Sequence, residues 1–147
     1  MNKTAFMSLL GAIIDEAKTA VMATVDEEGR PHMRWMTPTL IPGRPGAIYA
    51  VTSPEFKKVK HLAGNPHACW IFQTKLLNRI ANVSGPVNVI DNSAMKAEVL
   101  ERIGRRLNVF WRVNADPSSF VVLEAVIEKA EYFEPMKNVY ERITFKE

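Results

Sequence analysis

The sequence predicts a mainly β, α+β domain: an antiparallel barrel with helices packed on its outside. Three observations carry that reading. Short runs rich in β-branched and aromatic residues follow one another closely, punctuated by turns containing Gly, Pro and Asp. Three segments have apolar residues at helical spacing. The 147 residues make one domain, 1–147, large enough to bury roughly 68–70% of its unfolded surface in a single core.

In chain order, residues 3–18 place Phe6, Leu9, Leu10, Ile13, Ile14 and Ala17 on one side of an amphipathic helix. Thr19 to Val25 reads as a strand, and Asp26-Glu27-Glu28-Gly29 as a turn whose glycine supplies a backbone angle that other residues avoid. Pro31 to Thr37 is the second strand. Pro42-Gly43-Arg44-Pro45-Gly46 turns the chain into a third, Ala47 to Thr52. Ser53-Pro54 has the form of a helix start, with serine as N-cap and proline in the first turn. Phe56, Val59, Leu62 and Ala63 give that helix an apolar face, and Gly64-Asn65-Pro66 ends it. Two longer strands follow, His67 to Thr74 and Arg79 to Ile90, the second bulged or bent at Gly85-Pro86. Ser93 caps a third helix running to about Leu107, with Met95, Val99, Ile103 and Leu107 inward. Ser119 to Phe133 closes the fold as one strand or a bent pair.

Composition narrows the class of function. Hydrophobic residues at 47% and charged ones at 24% place the chain among globular domains. A formal net charge of +3 admits an acidic ligand without arguing for nucleic acid. The run Lys57-Lys58-Val59-Lys60-His61 is the densest basic cluster, and the other basic residues are scattered among acids, so no nucleic-acid partner is expected. Cys69 is the only cysteine, which excludes an intrachain disulfide and suits a reducing compartment. No apolar run approaches the ~20 residues of a membrane span, and Asp15 and Glu16 interrupt any signal-peptide pattern. Cytoplasmic residence without a membrane partner is the expectation.

The residues most able to carry chemistry lie at the end of the third strand. Thr52, Ser53, Lys57 and Lys58 combine two hydroxyls, two cations and a helix N-terminus, which together suit a phosphate; the alternative is a solvated helix face with an ordinary cap. On the second strand, period-2 alternation puts His32, Arg34 and Met36 on one face and Met33 and Trp35 on the other. Arg34 can thus point into a groove beside the anion site and pair with a phosphate. The alternative is a surface arginine, and Trp35 is expected in the core. Cys69 is expected as a buried strand thiol. His32, His61 and His67 lack metal-ligand spacing, and no protein nucleophile stands out; no catalytic residue and no metal are assigned. Any redox chemistry would come from a cofactor.

The order of Ala23-Thr-Val-Asp-Glu-Glu-Gly-Arg-Pro-His32, Arg34-Trp-Met36, Thr52-Ser-Pro-Glu-Phe-Lys-Lys58, Asn65-Pro66 and Asn82-Val-Ser-Gly85 resembles the pyridoxamine 5′-phosphate oxidase-like superfamily of FMN-binding split barrels, in its general stress protein branch, over residues 19 to 133. The resemblance implies a six-stranded antiparallel split β-barrel, a homodimer, and FMN in grooves between the subunits. It implies that Arg34 contacts phosphate or flavin and that the backbone of Trp35, Met36 and Thr37 faces the isoalloxazine edge. Thr52 and Ser53 would line the flavin end, and Lys57 and Lys58 would grip the phosphate. A small-molecule substrate or electron donor is implied, with NAD(P)H among the candidates. The chain departs from the oxidases proper at Thr39, Phe56 and Ile80, and it lacks their C-terminal Arg-x-His segment. Flavin binding is therefore expected and oxidation of pyridoxine phosphate is not. The alternatives are a non-catalytic flavin-binding module, or a split barrel that uses the deazaflavin F420 or haem.

Overall fold

The computed structural model describes residues 1–104 and 119–146. Asn2 starts the first helix by accepting the amide of Ala5 on its side-chain oxygen at 2.8 Å. Helix α1 (Lys3–Ala17) ends where Lys18 takes a left-handed φ of 67° and donates its N–H to the Ile14 carbonyl at 2.8 Å. Phe6, Leu10, Ile13 and Ile14 form the buried stripe. Each such side chain stabilises the docked helix by about 1.5–3 kcal/mol. The stripe packs chiefly against strand β4 (His67–Gln73).

Strands β1 (Ala20–Val25) and β2 (Pro31–Met36) form a hairpin. At its turn, Asp26 Oδ1 accepts the amides of Glu28 and Arg30, both at 2.9 Å, and Gly29 supplies a φ of +79°. Strand β3 (Ala47–Thr52) is buried along its whole length. With β4, β5 (Ile80–Ile90) and β6 (Val121–Val126), these strands form one antiparallel path in the order β2-β1-β4-β5-β6-β3. Strands β7 (Lys129–Glu134) and β8 (Val139–Thr144) extend it, β7 pairing with β5. The six expected strands are thus joined by more, since the stretch Ser119 to Phe133 is a bent pair, β6 and β7, and the polar-rich β8 was not foreseen.

The bend expected at Gly85-Pro86 is where the sheet divides. One edge of β5 pairs with β4 from Ile80 to Pro86. The other edge pairs with β7 over Ile80–Ser84 and with β6 over Val87–Ile90. At the switch, a Cβ on Gly85 would lie 1.9 Å from the Val126 carbonyl oxygen, so only a hydrogen fits. The Glu128 amide donates to Ser84 O and the Ile127 amide to Gly46 O, each at 2.9 Å, which closes the bend.

Two apolar clusters fill the fold. One lies between α1 and the sheet and holds Met22, Ile48, Trp70 and Phe72. The other lies under helix α3 (Ser93–Ile103), where Met95, Val99 and Ile103 meet Tyr49 and Val122. The cap of α3 is Asn92 and not Ser93: the Asn92 carboxamide accepts the Met95 amide at 3.0 Å, one residue earlier than expected. Leu107, assigned to this helix from sequence, lies outside the described residues.

Candidate functional site

Alternation along β2 sets out the site. His32, Arg34 and Met36 stand opposite Thr24, Met22 and Ala20 of β1, while Met33 and Trp35 stand opposite Ala23 and Val21. Arg34 is half-buried, donates from Nη1 to the Met22 carbonyl at 3.2 Å, and has its pKa pulled down by burial.

Facing it is helix α2 (Lys57–Gly64). Lys58 is half-buried, donates from Nζ to Thr52 Oγ1 at 3.0 Å and lies 4.5 Å from the centre of the Phe56 ring. Burial, and then the charge of Arg34, bring the Lys58 amine down to about 8. Among the described residues, neither Arg34 nor Lys58 has a carboxylate at ion-pair distance. Two neighbouring, partly desolvated cations without a carboxylate partner among the described residues are an arrangement that an anion can complete. Lys57 is exposed at the start of the same helix.

The helix begins later than the sequence suggested. Ser53 Oγ accepts the Glu55 amide at 3.3 Å and its carbonyl accepts the Phe56 amide at 3.2 Å, closing a turn over Pro54. The serine hydroxyl thus serves the nearer amide. Phe56 takes the cap position without a side-chain bond, and the helical residues start at Lys57. Thr52 and Ser53 are both buried, at 1% and 3% exposure, and Thr52 is the one whose hydroxyl meets Lys58.

The other candidates divide between the two faces of β2. Met36 is buried and Thr37 half-buried. Trp35, expected in the core, is instead 79% exposed, because the odd positions of β2 face outward. Cys69 is likewise exposed and not buried: β4 alternates strictly, and Cys69 shares the outward register of His67 and Ile71. Together with Met33 at 75% exposure, these side chains form an apolar outer sheet face. A groove of about 780 Å³ crosses it, bounded by Met33, Cys69 and Ile71 on one side and by Glu131 and Arg142 on the other.

A histidine cluster beside Arg34 was not assigned from sequence. The rings of His32 and His61 lie 4.7 Å apart. His61 Nδ1 is 3.0 Å from Thr24 Oγ1, and His32 Nε2 is 2.8 Å from Asp26 Oδ2. The His32 hydrogen bond, followed by backbone amides, holds the Asp26 carboxyl at about 2. Burial, then the charges of His32 and Arg34, push His61 below its ordinary value. Two spacings could have revealed the cluster: His32 shares the β2 face of Arg34, and His61 lies three residues after Lys58 on one helix. Among the described residues, no group of three His, Cys, Asp or Glu side chains is placed to hold a metal.

At Thr39, Phe56 and Ile80 the structure shows what each residue does locally. Thr39 is buried, bonds its hydroxyl to the Leu40 carbonyl at 3.3 Å and bridges to Tyr49 through its backbone. Phe56 is the ring beneath Lys58. Ile80 opens β5 opposite Gln73.

Residues 9–134 match the model of the family described as Pyridoxamine 5′-phosphate oxidase. The chain is 31% identical over 122 residues to the pyridoxine/pyridoxamine 5′-phosphate oxidase of Pseudomonas entomophila (strain L48), covering 79% of this chain and 54% of that protein. It spans about half the length of the curated relatives it matches. Among solved structures it is similar to General Stress Protein 26 from Bacillus anthracis str. Sterne, with a TM-score of 0.69 at 20% identity over 93% of this chain and 98% of that one. It is also similar to a pyridoxamine 5′-phosphate oxidase-related, FMN binding protein from Nostoc punctiforme PCC 73102, with a TM-score of 0.66 at 12% identity over 97% of each chain. At these identities the structural likenesses speak for the fold, and that fold is the split barrel. The chain belongs to the pyridoxamine 5′-phosphate oxidase family.

Proposed function

We propose that this protein binds FMN through its phosphate at Arg34 and Lys58, as a homodimer, and that it serves as a flavin-dependent oxidoreductase for a small-molecule partner. The observation that carries the reading is the pair of half-buried cations without a carboxylate partner among the described residues. A phosphate dianion supplies the missing charge, and the buried Thr52 hydroxyl fixes the Lys58 amine that meets it. The FMN binding protein of the same fold from Nostoc punctiforme supports the flavin reading.

When bound, FMN supplies hydride and electron transfer, and this chain's part is to hold the phosphate and orient the ring. Thr52 and Ser53 stand at the flavin end, Met36 and Thr37 along the edge, and Lys57 adds an exposed charge. The exposed apolar face around Met33, Trp35 and Ile71 is the proposed contact with a second copy, because a two-fold contact sets the same patch against itself. Pyridoxine phosphate is not the proposed substrate, given the departures from the oxidases that the resemblance marks at Thr39, Phe56 and Ile80.

The test is a fluorescence titration of the purified protein with FMN and with riboflavin. Binding of FMN at least tenfold tighter than riboflavin supports the phosphate assignment, and equal affinities refute it. Stopped-flow mixing of the FMN-loaded protein with NADH or NADPH then decides the chemistry. Bleaching of the flavin band supports an oxidoreductase, whereas no reduction by either nucleotide favours the non-catalytic flavin-binding module.

A further inference from the structure

The cationic site has a second tier. On α2, Lys58 and His61 are three residues apart and share a helix face. On β2, Arg34 and His32 are two residues apart and share a strand face, opposite Met22 and Thr24. Arg34 and Lys58 form one tier, and His32 and His61, with rings 4.7 Å apart, form the next. The tiers are separated by about 4.5 Å along the helix and about 6.6 Å along the strand, within the field of a single phosphate.

We infer that His61 is a third, titratable cation of the anion site: neutral in the free protein, it takes up a proton when a phosphate group binds beside Arg34 and Lys58. This rests on the phosphate reading given above. Thr24 supports both states of the ring, because its hydroxyl can donate to a bare Nδ1 or accept from a protonated one across the observed 3.0 Å. The Nε2 side then remains for the ligand. The His32 ring, tilted against that of His61, helps to fix its orientation and is itself held by Asp26 at 2.8 Å.

Burial, and then the charges facing it, hold the His61 ring below its ordinary pKa in the free protein. From β2 come His32 and Arg34, from its own helix Lys57, and only Asp26, in the β1–β2 turn, opposes them. Strand β5, which also packs on α2, carries no titratable side chain, and Thr24 of β1 has none. A bound dianion reverses that balance.

Histidine NMR titrations of the full chain test this, with His32→Gln, His61→Gln and His67→Gln providing the assignments. The free protein is compared with protein saturated with FMN and with riboflavin. The His61 resonance is expected to titrate below 6.5 in the free protein, to move up by ~1 unit or more with FMN, and to stay in place with riboflavin. Calorimetry at pH 7 in two buffers of different ionisation enthalpy should show proton uptake with FMN that is reduced in His61→Gln. An unmoved His61 midpoint in FMN-saturated protein, or equal proton uptake in His61→Gln, overturns the inference and leaves the phosphate assignment standing. Failure of FMN to bind at all removes the phosphate assignment, and this inference falls with it. Unchanged circular dichroism of His61→Gln confirms that the variant is folded.

Discussion

Replacing Lys58 by methionine removes one charge from the site and nearly preserves the length and packing of the side chain over Phe56. A hydrogen bond to a charged group is worth about 1.5–3 kcal/mol, so the Kd for FMN at pH 7 should rise by ~10- to 150-fold. Riboflavin, which lacks the phosphate, should bind as before. The wild-type protein should also show a characteristic pH dependence. Because the free protein's Lys58 amine titrates at about 8, FMN affinity should fall as pH rises from 7 to 9.5, steepening above 8. In Lys58→Met the steep part of that fall, above pH 8, should be absent.

The same group sets the stability of the ligand-free protein. Its folded pKa is depressed below the ordinary 10.5, so between about 8 and 10.5 the unfolded chain holds more protons than the folded one. Folded stability therefore rises with pH across that window, by on the order of 1–2 kcal/mol once solvent screening of a partly exposed amine is allowed for. Lys58→Met should lack the rise and should be at least as stable as wild type at pH 7. The assay is a paired set of fluorescence titrations and urea melts from pH 7 to 10. Equal losses of FMN and riboflavin in Lys58→Met, or a wild-type FMN affinity flat between pH 7 and 9.5, would refute the reasoning.

Two further outcomes test the fold and the assembly. Gly85→Ala places a methyl group 1.9 Å from the Val126 carbonyl oxygen, against backbone that must move. It should cost more than about 3 kcal/mol and lower the Tm by ~10 °C or prevent soluble expression, and a Tm within 2 °C of wild type would contradict the close approach. Met33→Asp with Trp35→Asp should leave the fold intact by circular dichroism while shifting the light-scattering mass from twice to once the 16.6 kDa of the chain. A dimer that survives both substitutions would place the contact elsewhere.

How far the sequence revealed this molecule depended on whether the signal was local. Helix α1 was legible because Phe6, Leu10, Ile13 and Ile14 repeat at helical spacing, and the first hairpin because Asp26 and Gly29 are strong turn residues. The face of Arg34 followed from strand alternation alone. The outward position of Trp35 and Cys69 did not, because alternation says that two faces differ but not which one meets the core. Strand β8 was missed because Val-Tyr-Glu-Arg-Ile-Thr carries two charges in six residues, and its pairing with β7 is set by tertiary context. Ser53 and Ser93 both looked like caps, yet a nearer amide at Glu55 and a competing Asn92 decided otherwise. The His32–His61 contact joins residues far apart in sequence on two elements, and the fold brings them together.

The central claim, that this chain retains a phosphate-bearing flavin, is tested most directly by a visible absorption spectrum. The purified protein is incubated with FMN, passed through gel filtration and scanned, then denatured so that any released flavin can be identified. The account predicts a retained flavin band that is released as FMN on denaturation, and no retention of riboflavin under the same conditions. A colourless protein after gel filtration, or a haem band in the material as purified, would contradict it.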